Sequence, residues 1–412
     1  MGKQKLKRTL GLWDVLMLGI GSMVGAGIYA IIGEAAALGG NMLWVSFIIA
    51  AGVALLTGLS YAEFVSRFPD SGGSFEYIKQ SLGYKAALVM SVLMMFTGVV
   101  AAAAIAISFA SYFTRLWAAP SWIIVIAIIG LMALFNIFGA KHSSYYNSLA
   151  TIITLMGLAV VIIISIPEIG QVNLTTLNAG GWNGIMAGSA LIFFSYIGFE
   201  DLVKMAEETK NPEKNMPRAV LLSGVAVLII YVLIAISAVS VLDWNKLAQA
   251  EGPLAAVIKT KLGTIGATGL VVVALFATSK TILSNILGTS RLLYDVARDS
   301  KIEWLKKFTT ISGTGHAPNY AIGAIAIVAV GFGLVGDLKL VASLSNIFIF
   351  IVFGLVNFSL LVYRFQHREE KEKAPFHIPF NVKNIPIPTV LALITILVLF
   401  GYNIYNISVG TV

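Results

Sequence analysis

Apolar residues in this chain come in long runs, and short clusters of charged residues separate them. Eleven runs stand out, at roughly 12–33, 42–66, 86–114, 121–139, 147–167, 184–205, 217–241, 263–296, 319–335, 340–364 and 385–407. Most reach the roughly 20 residues that a helix needs to cross a bilayer core. Several exceed it, which implies tilt or protrusion into water. The pattern predicts an all-α integral membrane protein of about eleven transmembrane helices, numbered here as spans 1 to 11. No polar tract is long enough for a separate soluble domain, so residues 1–412 are read as a single transmembrane domain.

Glycine clusters interrupt two of these runs, five spans apart. The first is Gly19-Ile20-Gly21-Ser22-Met23-Val24-Gly25-Ala26-Gly27-Ile28, and the second is Phe193-Phe194-Ser195-Tyr196-Ile197-Gly198-Phe199. Each glycine costs a helix about 1 kcal/mol relative to alanine. Lipid offers no hydrogen bonds, so a broken helix survives at membrane depth only where it lines a cavity or is buried in protein. Gly21 and Gly25 also have the spacing of close helix packing, which is the alternative reading of span 1 taken alone. Matching breaks in the two halves of a chain point to a secondary transporter with its site at the midplane.

Opposite ends of broken helices have opposite polarity. If span 1 unwinds near Ser22 to Val24, free N–H groups and the positive dipole end near Gly25, Ala26 and Gly27 suit a carboxylate. A break in span 6 at Ser195 to Gly198 leaves carbonyls near Phe194, Ser195 and Ile197, which suit an ammonium. That pair of poles matches the backbone of an α-amino acid, so the expected substrate is a small-molecule amino acid.

Charge sets the orientation. With the amino terminus inside, the inner segments hold 22 of the 28 Lys and Arg residues and the outer segments hold 5. This asymmetry predicts a multi-pass cell-membrane protein with a cytoplasmic amino terminus and an extracellular carboxyl terminus. The net charge of +8 therefore speaks for a lipid bilayer partner and against nucleic acid. The basic stretch Lys3 to Arg8 precedes a full span with no small-residue cleavage site, so the first run is expected to be retained. There are no cysteines, and the four histidines, His142, His316, His367 and His377, are dispersed without metal-ligand spacing. No metal, cofactor or catalytic constellation is expected, and the chain is not read as an enzyme. Segment 299–307 is amphipathic and is expected along the inner interface, and 368–373 is read as a solvated loop.

Several stretches resemble the amino acid–polyamine–organocation superfamily. They are the span 1 cluster itself, Tyr61-Ala62-Glu63-Phe64 to Arg67-Phe68-Pro69-Asp70-Ser71-Gly72-Gly73, Gly198-Phe199-Glu200 to Ala206-Glu207-Glu208-Thr209-Lys210-Asn211-Pro212, and Ser290-Arg291 to Ala297-Arg298-Asp299. They occur in order from near residue 10 to about 300. The resemblance implies a LeuT-type five-plus-five inverted repeat, with broken helices 1 and 6. Repeat one covers about 12–167, repeat two about 184–364, and an extra helix about 385–407. The superfamily usually has twelve spans, and this chain departs from it in having eleven.

The resemblance also implies residue roles. It puts a substrate carboxylate on backbone near Gly25, Ala26 and Gly27, beside Ser22, and an ammonium on carbonyls of Met23, Phe194 and Ile197, beside Ser195. It makes Phe194 an aromatic gate and puts Asn285 on the substrate side of span 8. Glu200 matches a glutamate implicated in proton sensing, whereas the residue reading leaves helix capping equally open, and for Asp201 capping is preferred. At Thr154 many relatives carry a lysine whose ammonium stands in for sodium between spans 1, 5 and 8. Here Thr154, Thr289 and Ser290 offer hydroxyls, for sodium or for a plain interhelical bond. Lys280 is expected to snorkel outward, the alternative being a cation that repels cationic substrates or replaces the missing span 5 charge. Spans 3 and 10 are expected to line the side-chain pocket.

Together these readings predict an amino acid permease working by alternating access, with protons through Glu200 preferred over sodium or uncoupled exchange. A non-transporting amino acid sensor on the same fold is the rival of another class.

Overall fold

The computed structural model describes residues 8–69, 73–138, 140–178, 180–300, 302–311, 317–367 and 374–408, without the side chains of residues 140–142 and 299. Lys3 to Lys7, the Asp70-Ser71-Gly72 part of one motif, Lys301, His316 and the loop 368–373 lie outside the described residues, as do the side chains of Lys141, His142 and Asp299.

All eleven apolar runs are helical. Span 1 is two helices, α1 (Leu12–Met23) and α2 (Ala26–Gly39), and span 2 is α3 (Leu43–Arg67). A short α4 (Ser74–Leu82) leads to α5 (Tyr84–Phe113), α6 (Ser121–Ile137) and α7 (Ala140–Ser165), which are spans 3 to 5. Span 6 is broken into α8 (Gly181–Ile192), a 3-10 turn over Phe193–Tyr196, α9 (Phe199–Leu202) and a second 3-10 turn over Val203–Glu208. Span 7 is α10 (Pro212–Val241), a short α11 (Trp244–Gln249) follows, and span 8 lies in α12 (Pro253–Asp299). Spans 9 to 11 are α13 (Asn319–Gly333), α14 (Leu338–Gln366) and α15 (Ile387–Ser408). Eight apolar helical stretches among the described residues are long enough to cross a bilayer, and α1, α6 and α13 are apolar but shorter.

The two interruptions fall where the glycine clusters predicted. Val24 and Gly25 separate α1 from α2 with non-helical dihedrals. Ile197 is extended and Gly198 has φ 129°, a conformation that glycine adopts without strain. The far half of span 6 differs from expectation, since it is one α-helical turn followed by 3-10 helix rather than a continuous half-helix. The long connection between spans 7 and 8 is also helical, and α12 turns sharply at Gly263, where φ is 63°.

Helices α5 and α7 each pack on α12, α3 packs on α10, and α14 packs on α5. Span 11 rests on α14, α3 and α8. A polar seam on α3 explains part of that docking. Thr57, Ser60, Glu63 and Ser66 recur every third residue, which places them along one side of the helix. Asn357 Nδ2 donates to Thr57 Oγ1 (3.1 Å), and Ser60 Oγ donates to Asn357 Oδ1 (2.7 Å) and lies 3.1 Å from Thr389 Oγ1. Arg364 Nε donates to Glu63 Oε1 (2.8 Å) and Ile378 N to Glu63 Oε2 (3.1 Å), while Ser66 Oγ donates to the Phe376 carbonyl (3.2 Å). Arg364 Nη1 also holds Asn381 Oδ1 (2.6 Å), next to a small hairpin of β1 (Asn381–Val382) and β2 (Ile385–Pro386). The seam thus ties span 2 to the last part of the chain.

Candidate functional site

A cavity of about 300 Å³ lies where the two breaks meet. Span 1 contributes Ser22, Met23, Gly25, Ala26 and Gly27, and span 6 contributes Phe194, Ser195, Ile197, Gly198 and Glu200. Span 8 adds Lys280, Thr281, Asn285 and Thr289. Nine residues named from the sequence as substrate-binding therefore share one cavity, including Asn285 (Ser22, Met23, Gly25, Ala26, Gly27, Phe194, Ser195, Ile197, Asn285). At one end the lining includes Leu18, which is 43% exposed, and Asp201 and Lys204, which form an ion pair at 2.5 Å. At the other end Phe194 and Ile105 are buried. The cavity thus opens toward the face at which α1 begins.

The breaks are bonded to each other. Ser22 Oγ donates to the Gly198 carbonyl at 3.0 Å. A methyl group on Gly198 would lie 2.9 Å from the Ser22 carbonyl oxygen, and one on Gly27 would lie 2.6 Å from Ser195 Cα. Backbone therefore approaches backbone at both positions, and only glycine fits. Tyr231 on α10, fully buried, shares its hydroxyl proton between the Met23 carbonyl (2.8 Å) and the Ser195 carbonyl (3.1 Å). Sequence reasoning missed Tyr231, because nothing in an apolar span distinguishes a tyrosine that bridges two distant breaks.

That bridge changes the expected ammonium site. The Met23 carbonyl accepts from Gly25 N (2.9 Å) as well as from Tyr231, so both its lone pairs are in use and it has none for a ligand in this conformation. Ser195 Oγ is the reverse case, buried in the cavity wall without a hydrogen-bond partner among the described residues.

Phe193 and Phe194 separate as neighbours on a helix should. Phe194 lines the cavity, while Phe193 packs at 4.6 Å between ring centres on Phe350 and at 5.8 Å on Phe353. Met94, Thr97, Gly98, Ala101 and Ile105 of span 3 and Ile349 of span 10 supply the mainly apolar part of the wall. Gly98 lets span 3 approach span 8 closely there, since a methyl group on it would sit 2.1 Å from Thr289 Oγ1.

Lys280 does not snorkel. It is 1% exposed, and its ammonium donates to the carbonyls of Gly21 (2.9 Å) and Val24 (3.0 Å) and to Thr151 Oγ1 (2.8 Å). The orphan carbonyls at the end of α1 and a span 5 hydroxyl supply the acceptors that water would otherwise provide. Lys280 is thereby placed between spans 1, 5 and 8. The three hydroxyls proposed for that position do not converge. Thr154 Oγ1 donates to the Ala150 carbonyl (2.6 Å) and Ser290 Oγ to the Leu287 carbonyl (3.0 Å), within their own helices, and only Thr289 reaches the cavity.

Glu200 is 4% exposed, and its Oε2 accepts from Gly198 N at 2.8 Å. It caps the turn that follows the break and also lines the cavity, so the two readings of this residue describe the same position.

Comparison with known proteins agrees with this architecture. The family model described as amino acid permease matches residues 10–412. The branched-chain amino acid permease of Bacillus subtilis is 26% identical over 390 residues, covering 88% of this chain and 82% of that protein. The methylthioribose transporter of the same organism is 29% identical over 408 residues, covering 93% and 86%. The cationic amino acid transporter 1 of Arabidopsis thaliana is 28% identical over 382 residues, covering 88% and 63%.

Proposed function

The chain belongs to the amino acid permease family, and from that premise we propose that it carries a zwitterionic α-amino acid across the cell membrane by alternating access. It is a membrane transporter and not an enzyme. The observation that carries the substrate class is the meeting of two oppositely polarised helix breaks at one cavity. The amino end of α2, at Ala26 and Gly27, would take the carboxylate. The carbonyls of Phe194 and Ile197 would take the ammonium, with Ser195 Oγ as a further partner. The apolar wall from spans 3 and 10, with no charged side chain of its own in the lining, favours a neutral side chain.

The repeat relationship, with spans 1–5 and 6–10 as inverted halves, belongs to the same proposal, supported by breaks five spans apart. So does the orientation, supported by the excess of basic residues on one side. The cavity then opens to the cytoplasm, and Phe194 closes it on the outer side. Coupling to protons through Glu200 is preferred over sodium. Lys280 occupies the region between spans 1, 5 and 8, and a resident ammonium there repels a second cation.

The test is uptake of labelled amino acids into liposomes containing only this protein, under imposed proton or sodium gradients. Uptake is expected with a proton gradient and not with a sodium gradient alone, and Glu200→Gln should abolish accumulation while leaving exchange. Accumulation that survives Glu200→Gln removes that residue from coupling. A binding screen that includes methylthioribose decides the substrate class, and binding of that sugar with none of any amino acid would defeat the two-pole reading. Binding without uptake would leave the sensor.

A further inference from the structure

Breaking a helix leaves two kinds of orphan: carbonyls where the first half ends and N–H groups where the second begins. In span 1 two consecutive residues of span 8 meet both kinds. Lys280 donates to the carbonyls of Gly21 and Val24, and Thr281 Oγ1 accepts from Ala26 N at 3.2 Å. The fit is close, since a methyl group on Gly25 would lie 2.4 Å from Thr281 Oγ1.

The two caps differ in how easily they let go. Lys280 has three N–H donors, and Gly21, Val24 and Thr151 take all three. It has none left for a ligand, and a cation at the carbonyl end of a helix is also favoured by the helix dipole. Thr281 is held by one long bond from Ala26 N, and its own proton goes to the Ala277 carbonyl at 2.8 Å. Threonine in a helix has two accessible side-chain rotamers, so its hydroxyl can swing away at low cost. A carboxylate makes hydrogen bonds roughly twice as strong as those of a neutral oxygen. Ser195 Oγ, buried next to Gly27 and without a partner among the described residues, marks the same spot as one that expects a ligand.

We propose that Lys280 and Thr281 are a paired cap on the broken ends of span 1, a fixed donor and a displaceable acceptor. Thr281 holds the first N–H of α2 before substrate binds and yields it to the substrate carboxylate. Both are positioning residues, and the inference rests on the reading of the cavity as an α-amino acid site.

Binding to purified protein tests it, with an accepted amino acid and its decarboxylated amine as probes. Thr281→Ala should bind the amino acid tighter, by about 2- to 10-fold, the worth of one neutral hydrogen bond no longer released on binding. The amine should be unaffected, and Thr281→Ser should bind as wild type does. Weaker amino acid binding by Thr281→Ala would make the hydroxyl a direct ligand and overturn the proposal. An equal change for the amine would also overturn it, by pointing to general distortion. Lys280→Met should weaken both probes together, because the break itself is no longer held, and unchanged binding of both would refute the fixed half. Should Lys280→Met not fold, the Thr281 variants decide alone. Wild-type protein that binds no α-amino acid would overturn the functional reading and the paired cap together, whereas normal binding with an unimproved Thr281→Ala would overturn only the cap.

Discussion

At the scale of single residues, the site is built from groups whose chemistry is ordinary and whose placement is not. Tyr231 is the clearest case. Tyr231→Phe removes one hydroxyl that serves two carbonyls, at a stability cost of about 1–2 kcal/mol. Transport should fall at least about tenfold, beyond what that modest loss explains, because the breaks in spans 1 and 6 are no longer joined. Melting temperature and uptake measured on the same preparation check this, and uptake near the wild-type level would reduce the bridge to a packing detail. Phe194 and Phe193 make a second pair to compare. Phe194→Ala should weaken substrate retention, while Phe193→Ala should chiefly lower stability, by about 3–5 kcal/mol as for other core aromatics. Residence times of bound label separate the two, and equal loss of retention from both would point to general damage. Gly27 was readable in the sequence as a cavity-side glycine whose N–H suits a carboxylate, because a glycine cluster within lipid demands a reason. That its neighbour is Ser195, some 170 positions away, was not readable, because proximity between distant segments leaves no local trace.

At the scale of elements, the position of each break was legible because glycine and the bilayer act locally. Five glycines in one span weaken it, and lipid forbids the weakened stretch from facing outward. The form of the break was less legible. The far half of span 6 is one α turn and a 3-10 turn, and the break before it bonds sideways, with Ser22 donating to the Gly198 carbonyl and Tyr231 to the Ser195 carbonyl. Lys280 shows the same limit. The general cost of a buried lysine predicts outward snorkelling, and the orphan carbonyls of α1 reverse that outcome by offering acceptors inside. Between spans 1 and 6 the close backbone approach makes a strong prediction. Gly27→Val should abolish transport while the protein still inserts, since even a methyl group would lie 2.6 Å from Ser195 Cα. Uptake by a well-expressed Gly27→Val protein would show that this glycine serves packing alone.

At the scale of the whole molecule, the polar seam on span 2 joins parts of the chain about 300 residues apart. Glu63 and Arg364 are both buried, so removing Glu63 leaves Arg364 without its carboxylate, whereas removing Arg364 leaves Glu63 with only Arg67 Nη2, 3.5 Å from its Oε1. Glu63→Gln should destabilise by about 3–5 kcal/mol and Arg364→Met by less, because Arg67 remains beside Glu63, and the double variant should recover part of the larger loss. Thermal melts of the three proteins check this, and additive losses would deny the coupling. On the opposite face Glu34 of α2 pairs with Lys339 of α14 at 3.4 Å, and Pro253 lies where a methyl group on Gly33 would reach 2.6 Å. Side-chain contacts thus draw α2, α12 and α14 together at the end of the cavity away from Asp201 and Lys204. The all-helical membrane class, the run of apolar spans, the two breaks and the glycines at the cavity could all be read along the chain. Those features arise from local composition acting against one solvent, the lipid, and local causes can be read along a line. Which orphan groups of the breaks are already capped, that the Met23 carbonyl is occupied while the Ser195 hydroxyl is not, and that Lys280 turns inward were settled only by the folded structure. Hydrogen-bond partners in a broken helix are chosen by whichever neighbour the fold brings within about 3 Å, and that choice is made in three dimensions.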